Sequence, residues 1–126
     1  VDNNIERKSC SFCGTRGKKG MRFAGGFGAM ICEECVDHYH QLLHSPQQAR
    51  EAMAPPWDKM SDAEVLSSLP LISRTADQVE EFLIEWVQLA RSRKLSWAAI
   101  GNVLGTTRQS AWERFAPRMA VIRSSS

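Results

Sequence analysis

The chain has 126 residues, of which 43% are hydrophobic and 24% charged, with a formal net charge of +2. This balance excludes disordered and fibrous chains, and the length holds one modest domain or two small ones, neither with a large core of its own. No apolar run approaches the roughly 18 residues that cross a bilayer and no charged-then-apolar segment opens the sequence, so a cytoplasmic protein with no membrane partner is expected.

The first motif is a double one. All 4 cysteines fall in two pairs, Cys10-Ser-Phe-Cys13 and Cys32-Glu-Glu-Cys35, with eighteen residues between them. Two thiolates two residues apart grip one metal from a tight turn, and two such turns complete the tetrahedral sulfur site that structural zinc favours. Gly14 follows the first pair, where the chain must turn sharply and a residue without Cβ tolerates positive φ. The spacing therefore predicts one Zn2+ on Cys10, Cys13, Cys32 and Cys35. Two disulfides are an alternative use of four cysteines, disfavoured by a reducing compartment. An iron–sulfur cluster and a redox switch that loses zinc on oxidation are others, and nothing in the sequence selects either.

Between the pairs, Met21 to Cys32 alternates apolar residues with glycines, as a short hairpin would. Gly25-Gly-Phe-Gly28 reads as a turn, because no Lys-Ser/Thr follows it as a phosphate loop requires. After Cys35 the period becomes helical: Val36, Tyr39, Leu42 and Leu43 share one face of a helix of about ten residues that ends before Pro46. A hairpin and a helix that each carry one cysteine pair make a small α+β, treble-clef-like module. His38, His40 and His44 follow on that helix as solvated residues, since four thiolates already saturate the metal.

These residues resemble the C4-type zinc-binding domain at the N-terminus of the Clp unfoldase subunit ClpX. The resemblance rests on Cys10-Ser-Phe-Cys13-Gly14, the gap, and Ile31-Cys32-Glu-Glu-Cys35-Val36-Asp37, and it covers about residues 8–45. It implies the same four zinc ligands. In that family the domain dimerises and docks substrates or adaptors, so a protein-contact surface is implied here too. Phe12, Phe23 and Phe27 are its candidate contacts, with packing in a small core as their alternative role. Nothing in the chain matches the Gly-x4-Gly-Lys-Ser/Thr of the family's ATPase, so an unfoldase is not expected.

Residues 46–60 hold Pro46, Pro55 and Pro56 and read as a helical turn followed by a stiff linker. Ser61-Asp-Ala-Glu64 is a capping box for a short helix bounded by Pro70, and Thr75-Ala-Asp-Gln78 is a second one. The latter opens a longer helix with a core stripe of Val79, Phe82, Leu83, Trp86, Val87 and Ala90, and with Glu80, Glu81 and Glu85 exposed.

The segment from Ser96 to Phe115 then reads as a helix, a glycine turn and a second helix. Ile100 and Leu104 are expected in the core, Gly101 at a close helix approach and Gly105 at the turn. Thr106 and Gln109 are expected to cap the second helix, and Ala111 and Phe115 to form its buried face. Its exposed face carries Thr107, Arg108, Gln109 and Trp112. Arg pairs with guanine and Gln with adenine in the major groove, and both fall in the first turn, where recognition helices reach bases. Ser110, Arg114 and Arg118 are placed for phosphates. Trp112 either flanks DNA or completes the core. The segment resembles actinobacterial-type helix-turn-helix modules worded Ser-Trp-x-x-Ile-Gly-x-x-Leu-Gly-x-x-Arg-Gln-x-Ala-Trp-x-Arg-Phe, over about residues 75–120, and that resemblance implies DNA binding.

Charge distribution agrees: residues 88–126 carry seven basic groups and one acidic, whereas 46–87 carry three and eight. A basic footprint suits a polyanion. The expected organisation is a zinc-binding module (1–45), a linker (46–60), an all-α helix-turn-helix domain (61–120) and a frayed tail (121–126). The expected function is that of a non-enzymatic bacterial DNA-binding protein of the nucleoid, a transcription regulator or an architectural protein. It would bind double-stranded DNA as a homodimer, with the zinc module used for dimerisation or for docking a protein partner. The alternative is a Clp-system adaptor that docks on the unfoldase's zinc domain. A third is a zinc-stabilised anti-activator whose helices bind another regulator.

Overall fold

The computed structural model describes residues 4–125, with side chains described as far as Met119. The chain forms two compact units, Asn4–Val79 and the part from Glu80 onward. The division falls inside a helix rather than in the proline-containing segment 46–60.

In the first unit a 3-10 turn, Ile5–Arg7, is capped by the Asn4 side chain, which accepts from the Glu6 N–H at 3.0 Å. An antiparallel bridge between Ser9 and Arg16 then closes the loop that carries the first cysteine pair. Gly17 must be glycine, since a Cβ there would lie 1.8 Å from the Ile5 carbonyl oxygen. The expected hairpin follows as β1 (Phe23–Gly25) and β2 (Met30–Cys32), antiparallel, with Phe23 opposite Cys32 and Gly25 opposite Met30. The glycine run makes the reversal, with the Gly26 N–H donating to the Ala29 carbonyl at 2.8 Å. Helix α1 (Glu33–Leu43) starts directly after β2 with Cys32 as its N-cap. Residues 46–60 contain 3-10 turns at Glu51–Met53 and Trp57–Lys59, and the first of these touches α1.

Helix α2 (Asp62–Ser92) is one element of 31 residues. Its capping box is the expected one: the Glu64 N–H donates to Ser61 Oγ at 3.2 Å and the Ser61 N–H to Glu64 Oε1 at 3.3 Å. Pro70 does not bound a short helix, because α2 runs through it. Proline removes one i to i−4 bond, a local cost of about 3 kcal/mol, and the turns beyond it are held by tertiary contacts. Leu71 lies against Gly14, where a Cβ would meet its Cδ2 at 2.8 Å. Gln78, buried, donates from Nε2 to the Ser9 carbonyl at 2.9 Å and accepts from the Ser9 N–H at 2.8 Å. The expected Thr75–Gln78 box is therefore absent: Gln78 serves the zinc module, and the Thr75 hydroxyl bonds back to the Leu71 carbonyl at 3.0 Å.

The second unit consists of the remainder of α2, α3 (Trp97–Val103) and α4 (Arg108–Ser125). Its core is Ile84, Val87, Ile100, Ala111 and Phe115, with Leu83, Ala90, Trp97 and Met119 packed around it. The expected stripe on α2 is thus rotated: Ile84, omitted from it, is fully buried, whereas Val79 and Trp86 are exposed and Glu85 is buried. Ile100 faces the core as expected, but Leu104 does not and stays 40% exposed. Helix α2 ends in a motif that needs a left-handed residue, and Lys94 fills it at φ 65° while the Leu95 N–H reaches back to the Ala90 carbonyl at 3.1 Å. The α4 backbone continues to Ser125, through most of the segment expected to fray; Ser126 lies outside the described residues. No helix among the described residues is long and apolar enough to cross a membrane.

Candidate metal centre and nucleic-acid interface

The two cysteine turns converge. The first is closed by the Gly14 N–H donating to the Cys10 carbonyl and the Cys10 N–H to the Thr15 carbonyl, both at 2.9 Å, with Gly14 at φ +79° as its position demanded. In the second, Cys32 ends β2 and caps α1, and Cys35 lies in the first helical turn, where the positive end of the helix dipole favours a thiolate. The four sulfurs lie within 4.8 Å of one another, and Cys13 Sγ and Cys32 Sγ are 3.8 Å apart. Sulfurs at about 2.3 Å from one zinc ion stand about 3.8 Å apart at tetrahedral angles, so the cluster fits the metal. Such spacing is also far from the S–S bond of about 2.05 Å that a disulfide needs, and all four cysteines are free.

Backbone donors prepare the cluster for charge: the Phe12 and Cys32 N–H groups each reach Cys10 Sγ at 3.4 Å. Burial alone would raise the Cys10 thiol, but these donors and the Cys13 N–H outweigh it and bring it down to about 7. Burial pushes Cys32 and Cys35 the other way, above the ordinary thiol value, and for Cys35 hydrogen bonds from the neighbouring sulfurs add to the rise. Zinc must displace the protons that the thiols carry before it can bind them as thiolates. Zinc affinity should therefore fall on acidification, as protons compete with the metal for the sulfurs; competition titration with a chromogenic chelator across about pH 6–8.5 measures this. His38, His40 and His44 stay outside the sulfur cluster, with the His44 ring 2.7 Å from the His40 carbonyl. Of the aromatics, Phe27 is 85% and Phe12 54% exposed, so these two do not fill a core. Phe12 instead meets the Tyr39 ring at 5.2 Å.

In the second unit, the Ser96 hydroxyl caps α3, accepting from the Ala99 N–H at 3.0 Å. Gly105 turns the chain at φ +72°. Gly101 permits the close approach, since a Cβ there would lie 2.8 Å from the Thr107 carbonyl oxygen. The cap of α4 is Thr107 rather than Thr106: the helix begins at Arg108, and the Thr107 hydroxyl, just before it, accepts from the Ser110 N–H at 3.0 Å, while the Thr106 N–H donates to the Gly101 carbonyl at 2.8 Å.

The residues assigned to nucleic acid divide accordingly. Thr107 and Ser110 are engaged with each other at the cap. Arg114 and Arg118 both reach Glu80, at 3.0 and 3.3 Å, and so tie α4 to α2; each side chain stays about half exposed and keeps further N–H donors. Arg108, Gln109 and Trp112 come together with Trp97 around a cleft of ≈ 260 Å³. Gln109 also bonds Glu113 at 2.9 Å, while Arg108 has no hydrogen-bond or ion-pair partner among the described residues. Trp112 is half-exposed and outside the core cluster. Trp97 had no sequence signal as a lining residue beyond its place after the α3 cap, since it also packs on the core and under Arg91.

Comparison with known families agrees with the first of these sites. The ClpX C4-type zinc finger family matches residues 8–45, so this chain carries a zinc finger of that type at its N-terminal end, with its four cysteines arranged for one Zn2+. No solved structure matches the chain.

Proposed function

We propose that the chain is a non-enzymatic bacterial DNA-binding protein of the cytoplasm and nucleoid, in which α3, the turn and α4 act as a helix-turn-helix and the zinc finger supports self-association or partner docking. The observation that carries this reading is the pairing of Arg108 and Gln109 in the first turn of α4, beside Trp97 and Trp112, with Arg108 uncommitted among the described residues. Guanidinium and carboxamide groups there suit guanine and adenine edges, and tryptophan flanks suit thymine methyls or sugars. The test is selection of bound duplexes from a random-sequence pool by the zinc-loaded protein at two salt concentrations. A recovered motif that disappears in Arg108→Ala/Gln109→Ala, with a loss of about 1–3 kcal/mol per bidentate contact, supports base reading by a regulator. Salt-sensitive binding with no motif assigns a nucleoid role through phosphates. No binding at low salt overturns the DNA reading.

A second reading, a Clp-system adaptor, draws on the zinc finger and on the exposed Phe12 and Phe27. It requires retention of the chain on the unfoldase's isolated zinc domain, and loss of that retention in Phe27→Ala.

A further inference from the structure

The first half of α2 carries an apolar seam that its own unit leaves largely uncovered. Val65, Leu69, Ile72, Ala76 and Val79 follow one another at intervals of four, three, four and three residues. This 3.5-residue repeat is the spacing by which one helix presents a narrow line to another helix. Val65 is 42%, Leu69 54%, Ile72 65% and Val79 42% exposed, and Leu66 beside them is exposed as well. Half-exposed aliphatic side chains in such a row place on the order of 400 Å² of apolar surface on one strip, the size at which patches mark an interaction site. The contacts of α2 with the zinc module run mainly through other residues, Leu71, Arg74 and Gln78. Val79, the last member of the seam, passes Gly28, where a Cβ would meet its Cγ1 at 3.6 Å. Pro70 is also off the seam. Farther along, the same row continues to Leu83 and Ala90, and there it is packed against the core of the second unit. The upstream part is the stretch without such cover.

We infer that this seam pairs with the same seam of a second copy of the chain, antiparallel and about a two-fold axis. Self-pairing is favoured by what flanks the line between Val65 and Ala76: Leu66, Ser68, Ser73 and Thr75 bring no charge, so two identical copies meet there without like-charge repulsion, and Glu80, beside Val79, is engaged by Arg114 and Arg118 of its own chain. The antiparallel register sets apolar residues against each other. Val65 lies opposite the partner's Ala76, and Leu69 opposite the partner's Ile72, while the helix dipoles oppose. This surface lies outside residues 8–45, where the zinc finger family matches. The inference deepens the self-association part of the proposed function and rests on that part alone.

The test is sedimentation of the full-length, zinc-loaded protein without DNA, so that its outcome is independent of DNA binding. The wild type should sediment at twice the chain mass, and Leu69→Glu and Ile72→Lys should each sediment as monomers with unchanged zinc content and circular dichroism. Mixing the two variants should restore the doubled mass, since the carboxylate introduced in one copy then faces the ammonium group introduced in the other. Leu69→Ala/Ile72→Ala is a milder variant that should raise the dimer Kd at least tenfold. A monomeric wild type overturns the pairing. So does a dimer that persists in the charged variants, which would assign self-association to another surface. Monomers that fail to recombine on mixing overturn the antiparallel register, as parallel helices set each position against its own copy.

Discussion

Stripping zinc from the protein with a chelator should unfold the cysteine-bearing part of the first unit while the second unit keeps its own cooperative transition. Within Asn4–Val79 the buried apolar side chains are Cys10 and Cys32, which are themselves ligands; the other buried side chains are polar, Lys8 and Gln78. The two strands have 3 residues each, and α1, of 11 residues, buries none of them fully. A ladder that short and a helix that exposed have no independent stability in water. The metal is in effect the core, and in small sites of this kind binding free energy is folding free energy, on the order of 10–16 kcal/mol at neutral pH. Chelation should therefore remove the circular dichroism of α1, make all four thiols reactive and open the segment to protease. Cys32→Ser should do the same without chelator, because it removes one of the four thiolate ligands at the point where β2 passes into α1. The melting transition of the second unit should remain. A metal-free first unit that stayed folded and resistant would mean that the contacts of Leu71 and Gln78 hold the module, and would reduce zinc to a minor contributor.

The zinc site was fully legible in the sequence because its information is local. Two residues between cysteines fix the reach of each pair, glycine marks the turn, and four sulfurs leave the metal no further choice. The hairpin and α1 were legible for the same reason. What could not be read depends on partners distant along the chain. Gln78 looks like the end of a capping box, and only Ser9, 69 positions away, diverts it. Pro70 looks like a boundary because its local cost is known, whereas the contacts on either side that let α2 continue are not encoded nearby. The α2 stripe was misplaced because leucine, isoleucine, valine and tryptophan occur on more than one side of that helix. Periodicity then allows several faces, and the choice between Ile84 and Trp86 falls to the helices packed against it. Arg114 and Arg118 show the same limit for chemistry: a basic helix suggests phosphate, and a single carboxylate on another helix, Glu80, engages both.

Phe115→Ala should be the most damaging single substitution in the second unit, costing about 3–5 kcal/mol. The ring is 0% exposed and is the largest side chain in a core of five buried residues drawn from all three helices of the unit. Small cores collapse poorly around a lost ring, so the lost transfer energy and the cavity add. A unit this small has a total stability of only a few kcal/mol, so the variant should be largely unfolded at about 37 °C even with zinc bound. Urea unfolding followed by tryptophan fluorescence in a Trp57→Phe background, where the signal comes from Trp86, Trp97 and Trp112 of this unit, measures it, with Leu104→Ala as the comparison. Leu104 is 40% exposed despite its apolar spacing, and its truncation should cost less than about 1 kcal/mol, what a half-exposed side chain contributes. The loss in Phe115→Ala should extend to the cleft, because Trp97 packs on this core and α4 presents Arg108, Gln109 and Trp112 only while Ala111 and Phe115 hold it down. On the DNA reading of that cleft, affinity should fall together with stability in Phe115→Ala and independently of it in Arg108→Ala, and this difference separates the residues that build the interface from those that use it.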